Sequence, residues 1–278
     1  MFAVVTDSTA YLTRNEASKL GVTVIPMNYT IAGAKFGEHY ADENADFLQA
    51  IKARPAECKT SQPNVAAYEA VFRRIADNDL DILLVSVSSR LSGAYNSAVA
   101  ALNNLTDAKL KSKIRVFDSM TITGGQKLLV EEAVRLSGEG KSVDEACRIL
   151  EEMRGKVRTV FSVENMDALR RGGRIGAVKL SVANMLNVRP ILEIRGGAVV
   201  GKGKASGIRN LIKELVSCVP KDAKRIVLMS IYNTESSRMM QPIALEYLIT
   251  DSKIDYQYVG PVLAVHLGDG AFGIAWLE

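Results

Sequence analysis

The chain has 278 residues, 47% hydrophobic and 24% charged, with 35 Lys and Arg against 31 Asp and Glu for a net charge of +4. That composition excludes a disordered or collagen-like chain, and the length suits one large domain or two modest ones. Scattered basic residues give nucleic-acid binding no support, and three cysteines without CxxC spacing with two unpaired histidines argue against a disulfide frame or a metal centre.

Cysteine usage points to a reducing, cytoplasmic setting. The opening Met1–Asp7 lacks the basic start of a signal peptide, and no apolar stretch approaches the roughly 18 residues of a membrane span. Phe2–Thr6 is too short for a helix and ends in Asp7-Ser8-Thr9, which predicts a buried strand and a polar turn. A helix at 13–20, strands near 22–25 and 27–31 and a helix from about 43 to 53 follow. Beyond Thr60-Ser61-Gln62-Pro63, Asn64 is placed to cap a helix running through Ala76. Asp81–Val87 is a strand-length apolar run that leads into a Ser/Gly loop and a helix from Ala94. Strand, polar loop and helix in that order mark a parallel sheet buried on both faces.

The unit repeats with a strand at 114–117 and helices near 123–137 and 143–154. Val157–Val163 then alternates with period two. Strands near 190–194 and 197–201, a helix at 207–218, a strand at 225–231, a helix at 235–249 and strands at 255–265 and 271–277 complete the chain. The fold class is α/β in two lobes: a parallel, doubly wound sheet in 1–155 and a mixed sheet in 156–278.

Four polar segments fall where strands end or helices start, the edge at which open α/β sheets bind ligands. Thr60-Ser61-Gln62-Pro63 carries two hydroxyls, although a helix entrance explains it equally. Ser92 and Gly93 stand at a helix start, where unpaired N–H groups favour an anion; a plain N-cap is the alternative. Arg170, Arg171 and Arg174 surround a glycine turn and suit forked pairing with a carboxylate, or simply solvation. His266 lies in a glycine-rich bend between two apolar strands. Gly201–Gly207 lacks the G-K-[ST] ending of a phosphate loop and reads as a turn with exposed Lys202 and Lys204.

Together with Asp118-Ser119, Arg189-Pro190-Ile191-Leu192 and His266-Leu267-Gly268-Asp269-Gly270-Ala271, these segments resemble, in order, the motifs of the bacterial DegV family. The resemblance implies a two-lobed protein that holds one long-chain fatty acid, with its carboxylate at the lobe junction. It further implies a non-catalytic subunit that presents this acid to a separate fatty acid kinase, with transient membrane-surface contact and no cofactor or metal beyond the bound acid. By resemblance, Thr60, Ser61, Ser92 and the Gly93 N–H hold the carboxylate, His266 supports them and Arg174 is a nearby base. The tail tunnel falls to the second lobe, with Met185, Leu186, Ile191, Leu192, Ile194, Leu228, Met229 and Ile231 as candidate lining. Arg170, Arg171, Arg174, Lys202 and Lys204 are candidates for docking the kinase.

The chain departs from the family at Ala94, more often Thr, and at Asp269, more often Pro. An acid at 269 is expected to repel a carboxylate or raise its pKa. Two other readings are a Ser/His hydrolase, although no G-x-S-x-G elbow occurs, and a regulatory or interaction protein without a ligand.

Overall fold

The apolar run at the start forms strand β1 (Phe2–Asp7) of a computed structural model that describes every residue except 44–46, 78, 165, 177–186, 232, 233, 249 and 250. The chain continues through α1 (Arg14–Leu20), β2 (Thr23–Ile25), β3 (Met27–Ile31), β4 (Ala34–Glu38), α2 (Phe47–Ala53) and β5 (Cys58–Ser61). Then come α3 (Val65–Ala76), β6 (Asp81–Ser86), α4 (Ala94–Asn104), α5 (Ala108–Ser112), β7 (Ile114–Asp118), α6 (Gly124–Gly138) and α7 (Val143–Arg154). The second half holds β8 (Val157–Ser162), α8 (Asp167–Arg171), β9 (Val188–Arg195), β10 (Ala198–Ser206) and α9 (Ile208–Ser217). It ends with β11 (Arg225–Ile231), α10 (Glu235–Tyr247), β12 (Lys253–Val259), α11 (Pro261–Leu267) and β13 (Phe272–Leu277).

Among the described residues the strands form three sheets. The first has the order β2-β1-β6-β7 and is parallel throughout. Side chains alternate across a strand, so Phe2, Val4, Leu83 and Val85 face α1, α6 and α7. Val5, Ile82 and Leu84 face α3, α4 and α5. With both faces covered, alternation disappears and the strands read as unbroken apolar runs. Asn64 caps α3 as expected, with the Ala67 N–H donating to its Oδ1 at 2.9 Å.

The second sheet is mixed, in the order β10-β9-β8-β13-β11-β12, with β11 and β12 parallel and the other neighbours antiparallel. In β11, Ile226 and Leu228 pack beneath α9 and α10, while Val227, Met229 and Ile231 turn toward the first half of the chain and Val87. The same alternation of an all-apolar strand thus feeds two different cores. No helix among the described residues is long and apolar enough to cross a membrane.

Two features differ from the sequence reading. β3, β4 and β5 form a small antiparallel sheet, so Thr60 and Ser61 end a strand and are not the entrance of α3. β4 is exposed except at Glu38, and an exposed edge strand leaves little apolar pattern to read. The run after Gly260 is the helix α11 and neither a strand nor a bend. Pro261 sits in its first turn, where a missing N–H costs nothing, and a short apolar run does not distinguish helix from strand by period.

Candidate functional site

The small sheet and α11 are clasped at two points. Thr60, opposite Tyr29 in the β3–β5 ladder, meets His266 in the last turn of α11, with Oγ1 and Nε2 2.7 Å apart. At the other end of α11, the Val262 N–H donates to Glu38 Oε1 at 3.0 Å and the Leu263 N–H to the Tyr11 hydroxyl at 3.2 Å. Tyr11 in turn donates to Glu38 Oε1 at 3.4 Å, and Ser8 Oγ donates to Oε2 at 3.3 Å. These bonds satisfy helix N–H groups that have no partner within the helix. Glu38 and Tyr11 carried no recognisable signal in the sequence.

Asp7-Ser8-Thr9 builds the floor beneath this clasp. Buried Asp7 accepts from the Thr9 N–H and hydroxyl, Gln126 Nε2, Ser86 Oγ and the Val87 N–H. These bonds occupy both carboxylate oxygens, so Asp7 organises the strand ends.

Arg174 follows α8 and is fixed by carbonyls: its Nε donates to Leu91 O at 3.2 Å and its Nη1 to Gly172 O at 2.6 Å. Ser92 lies just before α4, and the Ala94 N–H donates to its Oγ at 3.2 Å. Gly93 is the N-cap, with an ordinary φ of −74°; a Cβ there would meet only the exposed Gln62 side chain, at 2.9 Å from Nε2.

Thr60, Ser92, Arg174 and His266 come together in the wall of one cavity of about 880 Å³, space open to solvent included. Ser61 and Gly93 are outside that wall. Ser61 is exposed, because the residue after Thr60 on a strand points the opposite way. The rest of the lining is mainly apolar and comes from both halves of the chain, including Met27, Val87, Leu91 and Ile122 from the first. The cavity therefore does not belong to the second half of the chain alone. Ile194, Met229 and Ile231 line it as expected. Ile191 and Leu228 instead pack under α9 and α10, and Leu192 is core without reaching the cavity. Met185 and Leu186 lie outside the described residues.

Burial, and secondarily the Arg174 charge, push His266 down to about 4, so its imidazole is neutral at pH 7. Its Nδ1 is buried without a hydrogen-bond partner among the described residues. A serine relay needs a base titrating near neutrality and an acceptor that orients the ring; here the base is weak and the acceptor is missing from that atom. Asp269 pairs with Lys52 at 2.6 Å, so the acid at 269 has a counter-charge of its own beside it. Arg170 pairs with Asp167, and Lys202 pairs with Glu193 beside a depression separate from the cavity that Arg174 lines. Among the described residues the arrangement is therefore a mostly apolar container whose wall carries the Arg174 guanidinium and several hydroxyls.

A model of the family described as "Uncharacterised protein, DegV family" matches residues 1–278. A DegV domain-containing protein of Halalkalibacterium halodurans is 30% identical over 283 residues, covering 99% of this chain and 97% of its own. Among solved structures, a stearic acid-binding protein from Eubacterium ventriosum superposes with a TM-score of 0.88 at 26% identity, covering 100% of this chain and 98% of that one. A DegV family protein of Thermus thermophilus described for fatty acid binding has a TM-score of 0.83 at 27% identity, covering 100% and 99%.

Proposed function

The chain belongs to the DegV family, and on that premise we propose that it binds one long-chain fatty acid in the cavity between its halves. The observation that carries this reading is the wall itself: a largely apolar cavity of about 880 Å³ into which Thr60, Ser92, Arg174 and His266 converge. In this reading Arg174 supplies the charge that attracts the carboxylate, while the hydroxyls of Thr60 and Ser92 donate to it. Neutral His266 fixes Thr60 through their hydrogen bond. The tail provides most of the affinity, since burying about 0.8 kcal/mol per methylene amounts to roughly 10 kcal/mol for a long chain. A charge-assisted hydrogen bond contributes about 1.5–3 kcal/mol.

The chain then acts as a non-catalytic carrier for a separate fatty acid kinase in the cytoplasm. A carboxylate oxygen attacks the γ-phosphorus of ATP held by that kinase, the β–γ bridging bond breaks and ADP leaves. The family resemblance supports the partnership, and the weakly basic His266 supports the absence of a reaction by this chain alone. The lobes of this carrier are 1–155 and 156–278, with the ligand seated where they meet.

Organic extraction of the purified protein followed by mass spectrometry tests the central claim. A stoichiometric long-chain acid is expected; a blank extract together with no saturable binding by the delipidated protein would sink it. The carrier claim predicts acyl phosphate from ATP only when a fatty acid kinase is added, and formation by this chain alone would refute it.

A further inference from the structure

The mixed sheet is split along part of its length. Among the described residues β8 and β9 pair through Val160–Glu193, Phe161–Leu192 and Ser162–Ile191, although β8 begins at Val157 and β9 runs on to Arg195. Beyond those pairs β8 stays on β13 as far as Val157–Leu277, and β9 stays on β10 as far as Arg195–Ala198. The end of the β9–β10 hairpin is bound elsewhere: Ser88 Oγ donates to Gly197 O at 2.7 Å and Arg90 Nη1 to Gly196 O at 2.9 Å. A gap is left between Val157–Thr159 and Ile194–Gly196.

A second depression, of about 1380 Å³ with open solvent included, occupies this gap. Its wall includes Arg154, Arg158, Arg195 and Lys202 beside Glu193 and Glu278. Thr159 and Ile194 stand in the walls of both this depression and the apolar cavity, whereas Thr60, Ser92, Arg174 and His266 stand only in the cavity's. Thr159 is buried, 4% exposed, with its Oγ1 3.3 Å from that of Thr121; Ile194 is half-buried.

We propose that the β8–β9 gap is a second opening of the cavity, closed by the Thr159 and Ile194 side chains, through which the far end of a sufficiently long acyl chain passes. The inference rests on the acyl-binding reading above and adds to it a rule of selectivity. Each methylene buried inside the cavity raises affinity by about fourfold. A methylene beyond the two side chains meets charged groups and water, so it gains little. It is not turned back by backbone either, since no ladder among the described residues joins the strands there. A hydroxyl at that end keeps its hydration, where a closed apolar end would strip it. The ligand class is long-chain monocarboxylic acids with no sharp upper length limit, those bearing a terminal hydroxyl included.

The test is titration of the delipidated full-length protein with a homologous series of saturated acids and with the ω-hydroxy form of its longest member. Affinity is expected to climb about fourfold per methylene and then level, and the ω-hydroxy acid to bind within about twofold of its parent. Ile194→Trp, which fills the opening, should turn the levelling into a fall within the variant's own series, whatever it does to the affinity of every acid alike. A wild-type affinity that drops about tenfold or more once an optimum length is passed, or an equal loss for the ω-hydroxy acid, would show a closed end and overturn the proposal. Failure of every acid to bind would overturn the acyl-binding reading itself, and this one with it.

Discussion

His266 and Glu38 hold opposite ends of α11 and respond to pH in opposite senses. The His266 pKa is lowered to about 4 in the folded protein, against about 6.5 unfolded. Its stabilisation is complete above 6.5 and is lost as pH falls toward 4, because the unfolded chain takes the proton first; the loss is at most roughly 3 kcal/mol. His266→Asn should remove this term, so urea denaturation at pH 7 and pH 4.5 should show a smaller acid-induced loss for the variant than for the wild type. Burial pushes the Glu38 carboxyl up to about 8 despite the bonds from Val262, Tyr11 and Ser8 that favour its charge. Its folded pKa lies above the unfolded value, so its contribution is complete below about 4.5 and disappears as pH rises through 8. Glu38→Gln keeps an acceptor for the Val262 N–H without the charge. It should flatten stability between pH 5 and 8.5 and match or exceed the wild type at the upper end; a parallel pair of curves would count against a raised Glu38.

Two glycines show how elements are brought into contact by different means. Gly172 ends α8 with an ordinary φ of −75°, yet a Cβ there would stand 2.1 Å from His266 Nδ1. Gly172→Ala should therefore displace the imidazole with no backbone strain, lowering fatty acid affinity by about tenfold or more, the equivalent of one lost hydrogen bond, for a small change in Tm. Gly197 has φ +78°, and a Cβ would lie 2.6 Å from Ser88 Oγ. Gly197→Ala meets both a strained backbone and a clash where the β9–β10 hairpin docks on the Ser88–Gly93 loop, and should cost about 1–3 kcal/mol in chemical denaturation. If the two variants behaved alike, close packing and left-handed backbone would not be the separate causes argued here.

At the scale of the molecule, the halves share more than the cavity. Val157 and Leu277 pack into the core on one face of the first sheet, and Arg225 of β11 pairs with Glu131 of α6 at 2.8 Å. A ligand between halves joined in this way stabilises the folded state by about 2.7 kcal/mol at a hundredfold excess over Kd. Adding a long-chain acid to the delipidated protein should thus raise Tm in a concentration-dependent manner. Fragments 1–155 and 156–278 produced separately should each show no saturable binding. Binding by either fragment at the affinity of the whole chain would mean that one lobe owns the site.

Local pattern sufficed for the α/β class, the parallel first sheet and the mixed second one, because short apolar runs between polar loops and helices admit few other architectures. The segments that hold Thr60, Ser92, Arg174 and His266 stood out as polar breaks in an apolar background, but only the family resemblance grouped them, and only the structure brings these four, without Ser61 and Gly93, to one cavity wall. Which way Ile191, Leu228 or Ser61 points was decided only by tertiary structure, as a run apolar at every position is compatible with either phase of a strand. The helix around His266 was likewise decided by partners distant in sequence, Glu38 and Tyr11, which meet its free N–H groups. The charge state of that histidine depended on burial and on Arg174 beside it, neither of which is contained in the local sequence pattern, because residues 174 and 266 are brought together only by the folded chain.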